Sequence, residues 1–224
     1  MGLKALIFDV DGTLAETEEA HRTAFNRAFA EAGLDWHWTV SDYRYLLGTT
    51  GGRERIDHFI TWQGLELQNR HERIAALHRT KNSIYAEIVA GGAVKLRPGV
   101  EALIEDALAT GLQIAIATTT SRSNLEALVK ATPLARFPFA AIITGEDVTR
   151  KKPDPQAYVI ALRRLGLSAD ECLAFEDSAN GLNAALGAGL KTVVTPGIYT
   201  IGDDFTGATC IVDLPSYRFP WKPD

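Results

Sequence analysis

The sequence predicts an α/β fold, in which helices cover both faces of a doubly wound parallel sheet and an all-helical domain is inserted. Five short apolar runs are typical of buried parallel strands. Helical patterns separate most of these runs. A long segment after the first run, residues 18–92, holds helical patterns and no convincing strand. The insertion therefore follows the first strand directly.

The apolar runs alternate with helices along the chain. The runs are Ala5–Phe8, Gln113–Thr118, Ala140–Thr144, Cys172–Phe175 and Thr192–Thr195. Pro98 and Gly99 open a helix whose apolar residues recur at helical spacing until Gly111 ends it. A second such helix ends at Gly166, before the fourth run. Strands that alternate with helices of about 10–15 residues indicate a parallel sheet.

The inserted segment is predicted to form a helical cap. Phe25 and Phe29 are one turn apart on an apolar helix face, and two later stretches repeat this pattern. We expect a cap domain over residues 18–92 and a core domain made of residues 1–17 and 93–224.

The composition excludes several classes of function. The chain has 224 residues and a net charge of −5, with no basic tract, so we expect no nucleic-acid partner. No stretch approaches the roughly 20 apolar residues that span a bilayer. The two cysteines lie far apart without zinc-site spacing. We expect a cytoplasmic protein without a membrane partner and, although no pattern decides it, a monomer.

Two aspartates follow the first strand, one residue apart. Asp9 and Asp11 share a face, while Val10 points away. They stand at the carboxyl end of the strand, where open parallel sheets bind ligands. Two carboxylates this close need a cation or a shared proton, and both suit phosphate chemistry with Mg²⁺. Taken alone, the motif is equally compatible with a solvated acidic turn.

Three further motifs follow later strands. Thr118 and Thr119 offer hydroxyls and turn amides to phosphate oxygens, Lys152 could neutralise a phosphate, and Glu176 with Asp177 offers hard oxygen ligands. Each has a structural alternative: a helix cap, a solvated lysine and an acidic cap turn. Because all of them end predicted parallel strands, we expect them to meet in one crevice.

With these motifs the chain resembles the haloacid-dehalogenase superfamily over essentially its whole length. The segment "DVDGT", Thr118, Lys152 before its proline, and "EDS" match the four family motifs in order. The cap matches the subfamily that inserts it after the first motif. The resemblance implies a Rossmann-like core, a mobile cap and Mg²⁺-dependent phosphoryl transfer through an aspartyl-phosphate, with Thr118 and Lys152 holding the phosphoryl group.

The resemblance also implies roles for the four acidic residues. Asp9 would be the nucleophile, and Asp11 the general acid and then the general base. The Asp9 carboxylate, the Asp11 backbone carbonyl and Asp177 would hold Mg²⁺, with Glu176 in support. Dehalogenases of the superfamily are less similar, because they lack the second aspartate.

The segment "HRTAFNRAFAEAGL" (residues 21–34) and the pair Lys81 and Asn82 resemble the cap of one group in the superfamily, and the "WHW" of residues 36–38 is similar to its CbbY-like members. Within the superfamily the chain is therefore most similar to the CbbY-like and β-phosphoglucomutase-like group. The CbbY-like members are associated with photosynthetic, carbon-fixing bacteria and the Calvin cycle. They are associated with hydrolysis of xylulose-1,5-bisphosphate, an inhibitory by-product of Rubisco. The resemblance therefore implies a sugar bisphosphate as the substrate.

A bisphosphate needs a second anion site, and one cap stretch offers it. Thr50 supplies a hydroxyl, Gly51 and Gly52 supply flexible amides, and Arg53 opens a helix. Arginine suits bidentate phosphate contacts, and a helix N-terminus favours anions. Lys81 could add charge. The alternative is a hinge loop with solvated charges.

Three more cap residues are candidates for substrate contact. Glu18 and His21 follow the first motif and could reach sugar hydroxyls or the proton path. His78 lies one turn from Lys81 on the same side of a helix. His21 is equally compatible with a satisfied helix residue, and the alternative for His78 is a solvated charge in the hinge region. Glu16 stands where many relatives have aspartate, so the resemblance does not predict which contacts Glu16 makes at the hinge.

Two other functions stay open at this point. A sugar phosphomutase of the β-phosphoglucomutase type shares the core chemistry but must protect its phospho-enzyme from water. A metabolite-binding regulator could use the same fold without turnover, but the complete set of acidic residues and Lys152 argues against it.

Overall fold

A computed structural model describes residues 2–213 and 215 and contains a six-stranded, all-parallel sheet. The strands are β1 (Ala5–Phe8), β2 (Gln113–Ala117), β3 (Phe139–Ile143), β4 (Cys172–Glu176), β5 (Lys191–Val194) and β6 (Cys210–Ile211). Their order across the sheet is β3-β2-β1-β4-β5-β6. The chain builds outward from β1 in both directions, and ligands of such sheets bind at the carboxyl ends near this switch point.

Helices cover both faces of this sheet because successive strand side chains point in opposite directions. Leu6 and Phe8 join one apolar cluster, and Ala5 and Ile7 join the other. The first cluster includes helices α5 (Val100–Ala109) and α6 (Arg122–Ala131), and the second includes α7 (Gln156–Leu165) and α8 (Ala179–Gly187). The predicted doubly wound α/β fold is confirmed.

All the regular secondary structure of the inserted segment is helical. Its helices are α1 (Glu18–Glu31), α2 (Val40–Leu46), α3 (Gly52–Trp62) and α4 (Arg70–Ala90). An aromatic cluster holds them together, with Trp38 and Phe29 fully buried and Phe59 nearly so. The division into a cap over 18–92 and a core of 1–17 and 93–224 stays a prediction, and residues 1, 214 and 216–224 lie outside the described residues.

The two connections between the helical segment and the sheet lie side by side. Ala15 and Leu96 form an antiparallel bridge, and Arg97 donates its backbone N–H to the Leu14 carbonyl at 2.9 Å. The Arg97 Nε lies 3.3 Å from a carboxylate oxygen of Glu16. Arg97 also donates to the Gly12 carbonyl. The longer side chain of Glu16 is therefore used in an ion pair that joins the two connections.

The predicted strand Ala5–Phe8 agrees with β1, and the other four predicted strands differ from the observed ones by one residue at one or both ends. Thr118, Thr144 and Thr195 were expected to end strands, but each lies just beyond one. β6 was not predicted, because two paired residues are too short to show a pattern. In the described part of the chain, no helix has the length and apolar character needed to cross a membrane.

Replacing Phe29 with alanine tests the aromatic cluster of the helical segment. The Phe29 ring packs against the rings of Trp36 and Trp38, with centroids 5.5 and 5.0 Å away. We expect Phe29→Ala to lower the free energy of unfolding by about 3–5 kcal/mol, because a buried cavity replaces the ring. Urea unfolding measures this loss. Val40→Ala, at a half-exposed position, should stay within about 0.5 kcal/mol of wild type. An equally small loss for Phe29→Ala would contradict the conclusion that the aromatic cluster holds the helical segment together.

Candidate active site

The loops after β1 to β4 meet under the helical segment and enclose a cavity of 640 Å³. All the predicted site residues line this cavity. They are Asp9, Asp11, Glu18, His21, Thr50, Gly51, Gly52, Arg53, His78, Lys81, Thr118, Thr119, Lys152, Glu176 and Asp177. The cavity lies at the carboxyl ends of the central strands, so the parallel topology brings together residues far apart in sequence.

The Lys152 ammonium occupies the centre of the core side of the cavity. Its Nζ lies 2.6 Å from Asp9 Oδ1 and 2.6 Å from Glu176 Oε1. The Tyr158 hydroxyl donates to the same Glu176 oxygen at 2.5 Å. All four side chains are buried, so the charges interact with little screening by water.

The protonation of these groups follows from their burial and their neighbours. Burial alone would lower the pKa of Lys152, but the charges of Asp9 and Glu176 raise it above its ordinary value. Burial raises the pKa of Asp9, and Glu176 and Asp11 add to this effect against Lys152. Burial also raises the pKa of Asp177, together with Asp9 and Glu176. Lys152 does not neutralise this group of carboxylates by itself.

Asp9, Glu176 and Asp177 form a group that could hold a metal ion. One carboxylate oxygen from each lies within 4.8 Å of the others. Glu176 Oε2 is buried and has no hydrogen-bond partner among the described residues. Asp177 is held by the Thr200 hydroxyl, which donates to its Oδ2 at 3.2 Å. Gly12, at φ +78°, leaves no room for a side chain beside Asp177, so the aspartate packs directly on the backbone of the first motif.

Asp11 lies in a separate network on the side of the cap. The Thr17 hydroxyl donates to Asp11 Oδ1 at 2.5 Å, and His21 Nε2 lies 3.1 Å from the same oxygen. Burial would raise the pKa of Asp11, but His21 and Thr17 lower it below its ordinary value. These contacts therefore favour an ionised Asp11.

His21 connects Asp11 with Lys81. The Lys81 Nζ lies 2.7 Å from His21 Nδ1, and an ammonium group can only donate. When Lys81 is protonated, His21 Nδ1 accepts, so the His21 proton is on Nε2 and is donated to Asp11. Burial, with the charge of Lys81, lowers the pKa of His21 against the opposing effect of Asp11. Lys81 therefore contacts the Asp11 side of the site through His21.

The phosphate-binding candidates of the core follow β2. Thr118 is buried, and its hydroxyl oxygen accepts the Thr120 N–H at 3.1 Å. Its hydroxyl proton is not used in that bond and can be donated to an oxygen in the cavity. Thr119 is half-buried beside it.

The helical segment contributes the opposite wall. Gly51 and Gly52 stand at the start of α3, and Arg53 is exposed in its first turn. His78 packs so closely against Gly52 that a side chain there would overlap its ring. Burial lowers the pKa of His78 to about 3, with Lys81 and Arg53 adding to the effect, so His78 is neutral at physiological pH.

The Thr50 hydroxyl donates to the backbone carbonyl of Lys152. A hydroxyl has one proton. In this arrangement the Thr50 side chain cannot also donate to an anion, and its backbone amide is the group left for that purpose.

Glu18 is held by a relay that the sequence did not reveal. The Tyr43 hydroxyl donates to Glu18 Oε2 at 2.6 Å, and the Arg55 guanidinium donates to the Tyr43 oxygen at 2.8 Å. Tyr43 is fully buried, whereas Glu18 and Arg55 line the cavity. The relay fixes a carboxylate beside the space that a substrate would occupy.

Sequence reasoning also missed Thr17, Tyr158 and Thr200, which hold Asp11, Glu176 and Asp177. By helical spacing alone, Tyr158 is an inward-facing residue of the helix that ends at Gly166. No sequence signal distinguishes it, since its ring does pack in the core and only its hydroxyl reaches the site.

The geometry agrees with comparisons to known proteins. Residues 3–189 match the haloacid dehalogenase-like hydrolase family, and the chain belongs to that family. The predicted family is confirmed, and with it the prediction of an enzyme of the phosphatase class.

Among the members of this family, the chain is similar to CbbY proteins over nearly its whole length. The chain is 54% identical over 211 residues to CbbY of Rhodobacter capsulatus, covering 93% of this chain and 92% of that protein. It is 48% identical over 228 residues to a plasmid-encoded CbbY of Cupriavidus necator, covering 99% and 88%. A crystal structure of mutant CbbY from Rhodobacter sphaeroides with xylulose-1,5-bisphosphate matches with a TM-score of 0.90 and 45% identity, covering 96% of each chain. The predicted likeness to CbbY is confirmed.

Replacing Lys81 with methionine tests the buried ammonium. Burial lowers the pKa of Lys81 from 10.5 to about 7. Between these values the unfolded chain binds more protons than the folded one, so stability rises with pH there. The cost of the buried charge is complete below pH 7 and fades towards about pH 10. We expect the free energy of unfolding of Lys81→Met, relative to wild type, to be most favourable near pH 6 and to decline towards pH 10 in urea titrations.

The exposed Lys95 provides the control. Lys95→Met should show a difference from wild type that stays flat over the same pH range. A flat difference for Lys81→Met as well would show that Lys81 does not carry a buried charge.

Proposed function

We propose that this protein is a Mg²⁺-dependent sugar-bisphosphate phosphatase that acts through an aspartyl-phosphate and converts xylulose-1,5-bisphosphate to xylulose-5-phosphate and phosphate. The observation that carries the proposal is the buried Asp9 carboxylate beside the Lys152 ammonium, at 2.6 Å, with Asp11 close behind in the chain. The CbbY relative in complex with xylulose-1,5-bisphosphate supports the choice of substrate. This activity would remove a by-product that inhibits Rubisco in the Calvin cycle.

The carboxylate group fits Mg²⁺. Its donors are all hard oxygen atoms, and Glu176 Oε2 is buried without a partner among the described residues. The excess negative charge beside Lys152 would be relieved by a divalent cation. Asp9, Asp177 and the Asp11 backbone carbonyl would hold the ion, with Glu176 in support. When bound, Mg²⁺ would neutralise charge on the phosphoryl oxygens.

The nucleophile would be a carboxylate oxygen of Asp9. Its attack forms a bond to phosphorus while the bond from phosphorus to the sugar ester oxygen breaks. Asp11 would give a proton to that leaving oxygen and later accept a proton from the attacking water. A bound phosphoryl group would raise the pKa of Asp11 from its lowered value, because like charges disfavour ionisation. Lys152, Thr118 and Thr119 would hold the transferring phosphoryl oxygens.

The cap would bind the rest of the substrate. Arg53 and the amides of Thr50, Gly51 and Gly52 face the cavity at a helix N-terminus, where the helix dipole favours an anion. These groups are suited to the distal phosphate.

Further cap groups complete this wall. Glu18, positioned by Tyr43, would accept hydrogen bonds from sugar hydroxyls, with His21 beside it. His78 would support the distal site by packing on Gly52, and Lys81 would add positive charge. The expectations of a monomer, a cytoplasmic location and no nucleic-acid partner stay predictions.

Phosphate release from mono- and bisphosphorylated pentoses and hexoses, with Mg²⁺ and with EDTA, tests this function. We expect strong, Mg²⁺-dependent release from xylulose-1,5-bisphosphate and slow release from monophosphates, because only a bisphosphate uses both anion sites. Release mainly from monophosphates would contradict the bisphosphate assignment. Conversion of a hexose-1-phosphate to its isomer without free phosphate would indicate the phosphomutase instead.

An Arg53→Ala variant belongs in the same assay. It should lower kcat/KM on the bisphosphate about tenfold or more, as expected when a charged hydrogen bond is lost, and should lower activity on p-nitrophenyl phosphate far less. Arg73→Ala removes an exposed cap arginine and serves as the matched control. Equal losses on both substrates would exclude Arg53 from the distal site.

A further inference from the structure

The cap contacts two consecutive core residues next to the site, Lys151 and Lys152, through an ion pair and a hydrogen bond. In the cap segment 48–54, the Thr50 hydroxyl donates to the Lys152 carbonyl. In the same segment, the two carboxylate oxygens of Glu54 lie 2.7 and 2.9 Å from the Lys151 Nζ. One contact thus holds the backbone of Lys152, and the other holds the residue before it.

The backbone conformation at Gly51 allows the ion pair between Glu54 and Lys151 to form. Gly51 has φ +95°, a conformation that favours glycine. A side chain on Gly51 would overlap both the Glu54 carboxylate and the Lys151 ammonium. The ion pair between Glu54 and Lys151 therefore packs directly against the Gly51 backbone.

The same cap segment is tied to a second core loop. The Asn180 side chain, three residues after Asp177, donates its Nδ2 to the Gly48 carbonyl at 3.0 Å. The cap segment 48–54 consequently contacts the core loop of Lys152 and the core loop that follows Glu176 and Asp177.

These contacts bear on the charged end of Lys152. Its side chain is buried, with its Nζ 2.6 Å from both Asp9 and Glu176. A displacement of the Lys152 backbone would move the ammonium relative to both carboxylates. The Thr50 hydroxyl acts on that backbone from the cap, so the position of the cap and the position of the ammonium are mechanically linked.

We propose that Thr50 and Glu54 are positioning residues that couple closure of the cap to the placement of the Lys152 ammonium. The proposal rests on the proposed function, in which Lys152 holds the transferring phosphoryl group. It differs from direct binding of the distal phosphate, because it predicts an effect on substrates that have no distal phosphate. The Thr50 contact is the stronger one, since Glu54 and Lys151 are partly exposed and an ion pair in water contributes little.

Thr50→Val removes the hydroxyl and keeps the shape of the side chain. Thr49→Val is the matched control, because the Thr49 hydroxyl contacts His58 within the cap. We expect Thr50→Val to lower kcat on p-nitrophenyl phosphate about five- to tenfold, as expected for one lost hydrogen bond, with KM little changed. Thr50→Ser should restore kcat, and Thr49→Val should match wild type.

Hydrogen exchange by mass spectrometry gives a second readout that needs no turnover. Loss of the Thr50 contact should speed exchange in residues 150–154 in the Thr50→Val protein, because local opening becomes easier. Thr49→Val should leave this segment as in wild type. Melting temperatures of the variants show whether a change is local or global.

The outcomes separate the two proposals. Equal exchange and equal kcat in the two valine variants would overturn the coupling, as would a loss confined to bisphosphates. If the wild-type protein released no phosphate from any substrate, the proposed function would fail, and the exchange comparison would still decide whether Thr50 positions the Lys152 segment.

Discussion

The contact of the Lys152 ammonium with Asp9 and Glu176 is the constraint on which the rest of the structure depends. The two carboxylates end neighbouring strands, and the lysine arrives from the loop after β3. Burying such charges is expensive unless each is paired and hydrogen-bonded. The carboxylates would repel each other without the cation between them, so the strand ends, the loop and the Tyr158 hydroxyl must all be in place together.

The helical segment covers this centre and also makes direct hydrogen bonds to its residues. Its first helix carries His21, which donates to Asp11, and the cap segment 48–54 contacts the backbone of Lys152. Arg97 and Glu16 join the two connections at the base of the cap. In the proposed reaction, the nucleophile Asp9 is therefore positioned by the sheet, whereas Asp11, which would transfer the proton, also depends on contacts from the helical segment.

Much of this arrangement was predictable, because strong local patterns specify it. Buried parallel strands are apolar runs, and the polar residues that end them must meet at one edge of the sheet. The placement of Asp9, Thr118, Lys152 and Asp177 follows from that rule. The helical character of residues 18–92 was predictable from the periodicity of their apolar residues.

The residues that position the site were not predictable in the same way. Tyr158 and Tyr43 have the pattern of core residues, and only the three-dimensional structure shows where their hydroxyls point. Lys81 is predicted to add charge for a distant anion, and no local pattern predicts its contact with His21. The partner of Glu16 is Arg97, far away in sequence, and no local pattern reports such a pair.

Trapping the phospho-enzyme tests the central claim, that Asp9 is the nucleophile. A single turnover of xylulose-1,5-bisphosphate would be quenched in acid and treated with borohydride, which reduces an aspartyl-phosphate to homoserine. Peptide mass spectrometry should then find homoserine at residue 9 in the wild-type protein and not in an Asp9→Asn variant. Homoserine at Asp11 or Asp177, with Asp9 unmodified, would contradict the account.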